Sequence, residues 1–344
     1  MDPGARDVVG LEVASMLEYI ANASDNQDEQ NTTDTGEPFD VVYTWVNHAD
    51  PGWKNLYAQA NSDCDMPKGE HASSNDPARY VNRGELYWSI RSVHKYASWV
   101  RRIYVVTNCA LPDEVAALGG VVHVPHEVIF PDLDCLPTFN SHAIETVLHR
   151  IPGLSERFLY LNDDFFLCRP LTPDDFFYGK QGVRFTLSPH DIPYDRTMEA
   201  LRPVDTGAIH AASLLRRDFN CMPRKKLQHA PYPLMISTMK DIERKYADSV
   251  LATRAHRFRQ KSDVAMATTL HAYYAQCMGR GEPGSLRARY IDISDWRFLG
   301  LIHPFSPLHR GKYDTLCLNE ISELRCGQKL RDIIVLALMR RLFS

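Results

Sequence analysis

No run of about 18 apolar residues occurs in this 344-residue chain, so no transmembrane helix is expected. Its amino terminus, Met1-Asp-Pro-Gly4, has no basic stretch ahead of an apolar one, so no secretory signal is read there. No Cys-x-x-Cys pair exists among Cys64, Cys109, Cys135, Cys168, Cys221, Cys277, Cys317 and Cys326, which argues against a zinc site or a disulfide framework. Buried thiols in a reducing compartment are the expectation instead. There is no basic excess: 39 Lys and Arg stand against 43 Asp and Glu, a net charge of −4, so a dedicated nucleic-acid binder is not expected. Gly-x-Gly-x-x-Gly, the Walker Gly-Lys-Ser/Thr, Gly-x-Ser-x-Gly and His-Glu-x-x-His are all missing. Their absence lowers the dehydrogenase, P-loop, serine-hydrolase and zincin readings.

What is present reads as an α/β protein. In residues 1–37, Val8, Val9, Leu11, Val13, Met16, Leu17 and Ile20 have roughly helical spacing, and Asn22 to Pro38 reads as a flexible polar linker. Order begins at Phe39, where the apolar run to Val46 suits a buried strand. Residues 61–78 read as a long polar loop. Glu85 to Val100 has helical periodicity in Leu86, Ile90, Val93 and Ala97. Strands are expected at Ile103–Thr107, Gly119–Val124 and Phe158–Leu161, with a helix over Ala143–Ile151. Strands alternating with helices imply a largely parallel sheet, and ligands bind beyond the carboxyl ends of such strands. The second half reads as mainly helical, over Met239–Ala252, Asp263–Met278 and Arg331–Phe343, while residues 180–228 carry no clear pattern. The expected division is an appendage over 1–37, an α/β core over 38–180 and a mixed, mainly helical lobe over 181–344 packed on it.

Asn47, Asp50, Asn108, Asp163 and Asp164 each come after a strand end. Two adjacent carboxylates beside an apolar strand are costly unless solvated, paired or bound to a cation, and Mg²⁺ favours few carboxylates plus substrate phosphates. The plainer reading of Asn162-Asp163-Asp164 is a polar turn or a helix cap. His229 comes after Arg224, Lys225 and Lys226 in a Pro-fixed segment and is a candidate general base, with a structural hydrogen-bonder as its plainer reading. Arg257 and Arg259 flank Phe258 and suit phosphate binding, or a solvated basic helix end. Asn82 and Glu85 open a helix as an anion site or as a capping box, with Asn82 the N-cap and Glu85 at the third helical position. Thr138 to His142 invites the same pair of readings.

Taken together these segments resemble the Stealth family of bacterial capsular and exopolysaccharide phosphotransferases, which are related to the animal GlcNAc-1-phosphotransferase of lysosomal enzymes. The first block is Asp40-Val-Val-Tyr-Thr-Trp-Val46 with Asp50, Pro51 and Trp53. The second runs from Asn82-Arg-Gly-Glu85 through Leu136-Pro-Thr-Phe-Asn140 to Asn162-Asp163-Asp164. The third spans Gln228-His-Ala-Pro231 to His256-Arg-Phe-Arg259 and Asp263, and the fourth is Leu316-Cys-Leu-Asn319. This chain has Asn47 and Asn82 where the family often carries Asp.

The resemblance implies a Rossmann-like, glycosyltransferase-A-like core and a divalent cation, Mg²⁺ or Mn²⁺. It implies transfer of a hexose-1-phosphate from a UDP-sugar, often UDP-GlcNAc, to a glycan hydroxyl, with release of UMP. By position, Asp40, Thr44, Asn47, Asp50, Asn82, Glu85, Asn140 and Asn319 would bind the donor. Asp163 and Asp164 would serve the metal, His229 would be the base, and Arg257 or Arg259 would hold phosphate. The partners expected are a nucleotide-sugar donor and a glycan acceptor, without nucleic acid. The expected location is cytoplasmic, with peripheral association at the inner membrane surface or an export complex through Arg340 and Arg341 beside an apolar face, and self-association is allowed. Two other readings keep the fold: a metal-dependent glycosyltransferase that releases UDP, and a non-catalytic glycan binder.

Overall fold

The computed structural model describes residues 37–62, 80, 82–294, 311–320 and 328–343. The apolar helical spacing at 8–20 and most of the loop over 61–78 lie outside them. The chain enters at β1 (Phe39–Thr44), whose Val41, Val42 and Tyr43 are fully buried, as a strand covered on both faces requires. Helix α1 (Pro51–Ser62) comes next, then α2 (Glu85–Tyr96), which buries Leu86, Ile90 and Val93 at helical spacing. After these come β2 (Val100–Val106), a one-turn α3 (Asp113–Ala116), β3 (Val121–Val124) and a one-turn α4 (His126–Ile129). The helix expected over Ala143–Ile151 is shorter: α5 (Ser141–Glu145) is succeeded by a separate 3₁₀ turn at Leu148–Arg150. Strand β4 (Arg157–Asn162) then ends at the two aspartates.

These strands form one sheet in the order β3-β2-β1-β4, all parallel, with Thr44, Val106, Val124 and Asn162 level at the carboxyl edge. The segments leaving the strands therefore emerge along one line, at about 4.8 Å per strand. The largely parallel α/β sheet expected from the sequence is present.

Beyond β4, β5 (Phe165–Leu167), β6 (Phe177–Tyr178), β7 (Gly182–Phe185) and β8 (Leu187–Asp191) are short. The stretch without clear pattern contains α6 (Pro203–Phe219). Its buried face is made of Thr206, Gly207, Ala208, Ala211, Ala212 and Leu215, too small and too polar to show an apolar period. Gly207 is needed there, because a Cβ would sit 3.1 Å from His142 Cε1 and 3.3 Å from the Ala265 nitrogen.

Strand β9 (Lys225–Leu227) pairs with β8, and β10 (Tyr232–Met235) adds to β4 as the antiparallel edge of the main sheet. The helix expected over Met239–Ala252 is two, α7 (Ile236–Lys245) and α8 (Ala247–Ala255), broken at Tyr246. The next begins as a π-turn at Met266–Leu270 and continues as α9 (His271–Cys277). Strand β11 (Gly281–Pro283) completes a small sheet with β6 and β7. Strands β12 (Ala288–Asp292) and β13 (Thr315–Asn319) are parallel to each other, and β13 lies antiparallel to β5. Helix α10 (Gln328–Phe343) closes the chain, stacking Phe343 on Phe166 at 5.0 Å.

Candidate active site

A cavity of about 1020 Å³ opens over the carboxyl edge of the main sheet. Its floor is set by strand register. Residues after β1, β2, β3 and β4 line it as Trp45, Asn108, His126, and Asp163 with Asp164. The edge strand adds the fifth position. Tyr232 pairs with Tyr160 in an antiparallel ladder, so the turn before β10 lies beside the residues after β4, and His229 lines the cavity close enough to Asp164 for their charges to interact. Helix α2 contributes Glu85, and β13 contributes Asn319.

The two aspartates are held differently. Asp164 Oδ2 accepts from Asn319 Nδ2 at 2.9 Å and from the Cys317 thiol at 3.3 Å, and its backbone carbonyl accepts from the Leu318 amide at 3.0 Å. Asn319 is itself oriented, because its Oδ1 accepts from the Tyr290 hydroxyl at 3.0 Å. Asp164 Oδ1 is buried and has no hydrogen-bond partner among the described residues. Burial, then the charges of Asp164 and Glu85, push the Asp163 carboxyl well above the usual range. Asp164 is raised as well, chiefly by burial, against the pull of Asn319 and His229. Glu85 is also raised by burial, partly offset by Arg83. Arg83 cannot neutralise the cluster alone, since it already pairs with Glu85, Glu320 and Asp332.

Three carboxyls therefore converge with too little positive charge, and one of their oxygens lacks a partner. That donor set fits a hard divalent cation bound by Asp163 and Asp164, the rest of its ligands being phosphate oxygens and water. Among the described residues no group of three or more His, Cys, Asp and Glu side chains makes a metal site by itself.

His229 sits in the turn between β9 and β10, exposed to the cavity, with its ring 5.1 Å from that of Tyr290 and 6.1 Å from that of Phe165. The mass of protein around it lowers its pKa below the ordinary value, and Arg202, Arg259 and Lys226 add to this while Asp164 opposes it. The ring is thus neutral near pH 7 and able to accept a proton.

Arg259 reaches the cavity because the 256–263 segment is pinned at Asp263. That buried carboxylate accepts from His256 Nδ1 at 2.7 Å, Asn140 Nδ2 at 2.8 Å and the Gln260 amide at 3.0 Å. Burial works against its ionisation, but His142 and His256 outweigh it and hold Asp263 at about 2. Arg259 donates to Ser141 Oγ. Beside it Glu145 is fully buried, accepts from the Ala267 amide at 3.1 Å and is pushed up to about 7 by burial, with Arg259 opposing.

Comparison with known proteins adds the family. The model of Stealth protein conserved region 2 matches residues 79–185, and that of conserved region 3 matches residues 228–276. The chain belongs to the Stealth family. An exopolysaccharide phosphotransferase of Streptomyces coelicolor, SCO6023, is 40% identical over 82% of this chain and 47% of its own length. The exopolysaccharide phosphotransferase CpsY of Mycobacterium tuberculosis is 33% identical over 86% of this chain and 55% of its own. The chain thus spans about half the length of the curated relatives it matches. Among solved structures, the galactosyltransferase LgtC aligns over 89% of this chain and 96% of its own at 9% identity, with a TM-score of 0.40. The parallel sheet, not that likeness, carries the fold assignment.

On this Stealth chain the two matched regions meet in the cavity, region 2 bringing Asp163, Asp164, Glu85 and Glu145, region 3 bringing His229 and Arg259. Thr44 lines it too, with its hydroxyl 3.0 Å from that of Tyr160. Six of the expected residues stand elsewhere. Asp40 is the second residue of β1 and so lies at the amino end of the sheet, where it pairs with Arg101 at 2.8 Å and accepts from the Ser155 amide at 2.7 Å. Asp50 caps α1 through the Trp53 amide at 2.8 Å. Asn47 accepts from the Ala49 amide at 3.0 Å. Asn140 caps α5 and bonds Asp263. The capping box at α2 is not formed: Gly84, at φ +84°, is the cap, Glu85 opens the helix, and Asn82 accepts from the Gly84 amide at 2.9 Å. Arg257 turns toward the Leu136 carbonyl, 3.5 Å away, so of the two arginines Arg259 faces the cavity. Arg83, Glu145 and Tyr290 were missed. The first two lie within the second sequence block, but no residue pattern marks a buried carboxyl or a ring partner from the far end of the chain.

Proposed function

We propose that this chain transfers a hexose-1-phosphate from a UDP-sugar, with GlcNAc-1-phosphate the first to test, to a hydroxyl of a growing exopolysaccharide, releasing UMP. The observation that carries this is that His229 lines one cavity with Asp163 and Asp164 at the carboxyl end of a parallel sheet. In this reading His229 takes the proton of the acceptor hydroxyl as its oxygen attacks the phosphorus next to the sugar. The bond from that phosphorus to the bridging oxygen breaks, and UMP departs with the electron pair. Arg259 holds the phosphoryl oxygens, and a guanidinium suits the charge they gather. Asn319 and Tyr290 fix the Asp164 carboxyl through Oδ2, which leaves its Oδ1 without a protein partner among the described residues. The chemistry supplied by a cation at Asp163 and Asp164 is neutralisation of diphosphate charge. Phosphoryl transfer asks mainly for such positioning and charge.

The test is the identity of the nucleotide released from UDP-GlcNAc with Mg²⁺ and a mixed glycan acceptor. UMP, lost in Asp164→Ala and His229→Ala, supports the reading, whereas UDP means glycosidic transfer and overturns it. We keep the cytoplasmic location and the peripheral membrane contact as part of this proposal. Among the described residues no helix is long and apolar enough to cross a membrane. Helix α10 exposes Leu330, Ile333 and Leu336 in line with Arg340 and Arg341. Unchanged vesicle flotation after deletion from Arg331 onward would end that part of the proposal.

A further inference from the structure

At its Glu85 end the cavity is tied to the last helix of the chain by charges that the transfer chemistry does not use. Arg83, Glu85 and Glu320 line this end, and Arg331 and Asp332 of α10 pair with them. Arg83 divides its guanidinium three ways. Its Nε donates to Asp332 Oδ1 at 2.6 Å, one terminal nitrogen pairs with Glu320 Oε2, and the other lies 3.4 Å from Glu85 Oε1. Glu320 also pairs with Arg331, a fully buried side chain, at 2.5 Å. Two cations therefore face three carboxylates, and the cluster keeps one net negative charge.

A guanidinium is a rigid, planar fork, so it does not meet three carboxylates equally well. Here the contact to Glu85 is the longest of the three. Glu85 is oriented instead by the Arg83 backbone amide, which donates to its Oε2 at 2.5 Å and brings no net charge. Glu85 is thus fixed in place with its charge poorly cancelled, and that charge is felt at Asp163. The group that draws Arg83 to the other side, Asp332, has its side chain 29% exposed, so it can be changed without opening a void in the core. The apolar face of α10 is held separately, by Val335, Met339 and Phe343.

We infer that Asp332 is a positioning residue for the cation at Asp163 and Asp164: it holds the Arg83 guanidinium away from Glu85 and so preserves the negative charge that attracts the cation. This rests on the cation assignment made above. Two effects are expected. Without the Asp332 charge, Arg83 swings toward Glu85 and the cation binds less tightly. The coupling is reciprocal, as binding couplings must be. A bound cation shares the charge of Glu85, frees Arg83 for Asp332, and fastens the start of α10 to the core.

The experiment is calorimetric titration of the full chain with Mn²⁺, on the parent protein, Asp332→Asn, Asp332→Glu and Glu114→Gln. The asparagine keeps an oxygen for Arg83 Nε and loses only the charge, and Glu114, exposed on α3, controls for net charge alone. Mn²⁺ affinity should fall about 5- to 20-fold in Asp332→Asn, the lower part of the range for coupled sites. It should return for the most part in Asp332→Glu and stay at the parent value in Glu114→Gln. Hydrogen exchange of the parent protein should slow at the start of α10 when Mn²⁺ is added. That measurement decides the matter if Asp332→Asn does not fold, and unchanged exchange then overturns the inference. Parent-like affinity in folded Asp332→Asn overturns it, as does equal weakening in Asp332→Asn and Asp332→Glu, which marks a structural effect. All three outcomes leave the cation assignment standing. A parent protein that binds no Mn²⁺ overturns that assignment and this inference with it.

Discussion

Removing one carboxylate from the sheet edge should make the cation-free protein more stable, the reverse of an ordinary surface substitution. Asp163 is raised by burial and by two like charges, and Arg83, which pairs with Glu85, is already shared among three carboxylates. The sign comes from linkage. A carboxyl whose folded pKa lies above its unfolded value of about 3.9 favours the fold at low pH, and this stability is lost as pH rises through the folded value. At pH 7 in chelator the native state therefore carries a repulsion that the unfolded chain does not. Relief of one such contact is worth on the order of 1–4 kcal/mol, the range between bulk water and an effective dielectric near 20. For a chain of this size that is about 1–6 °C in Tm for Asp163→Asn. Mn²⁺ or Mg²⁺ at a hundredfold excess over its Kd should add about 2.7 kcal/mol to the parent protein and far less to Asp163→Asn or Asp164→Asn. Differential scanning fluorimetry across pH 5–8, with chelator and with cation, measures both. If Asp163→Asn is the less stable protein in chelator, or if cation raises all three proteins equally, the charge argument and the cation assignment are both wrong.

Three further outcomes are expected. His229→Ala should lower kcat by about 10²- to 10⁴-fold with UMP affinity retained. In the parent protein the acid limb of the rate profile should lie below the ordinary histidine value, because His229 is depressed; an acid limb above 7 would exclude His229 as the base. Asn319→Ala should weaken the response to Mn²⁺ by about 10- to 100-fold, as removal of a group that orients a metal-binding carboxylate does, and an unchanged Mn²⁺ titration would show that Asp164 needs no such support. Asp40→Ala removes a fully buried carboxylate bonded by Arg101 and the Ser155 amide and should cost about 1–3 kcal/mol, seen as a lowered Tm. Its donor KM should stay unchanged, and a raised KM in the folded variant would return Asp40 to the site.

The main sheet was legible because a strand buried on both faces leaves an apolar run, and Phe39–Thr44, Val100–Val106 and Arg157–Asn162 each do so. Helix α6 was not, because its buried face of Gly207, Ala208, Ala211 and Ala212 lets the backbone come close instead of presenting bulk. The expected donor residues that stand outside the cavity have one thing in common. Asp40, Asp50, Asn47, Asn82 and Asn140 are polar residues beside apolar runs, which is where the chemistry of caps and turns also places them. Four of the five cap a helix or fold a turn through backbone amides, and Asp40 closes the wrong end of its strand.

The arrangement of the reactive groups was the least legible part, and the reason is topological. A parallel sheet alone gathers only the residues that leave the ends of its own strands, and here these supply an acidic pair without a base. The proposed base is brought by an edge strand of opposite direction. Because β10 runs antiparallel to β4, the residues before it lie beside those after β4, so His229 comes near Asp164 from the far side of a long excursion of the chain. Strand β13 works in the same way against β5, delivering Asn319 and Cys317 to Asp164. A one-residue slip of either ladder would turn His229 or Asn319 to the opposite face. The fully buried strand residues that set those registers, Leu234 and Met235 in β10 and Leu316 and Cys317 in β13, therefore determine the active-site geometry as directly as the polar groups they carry into place.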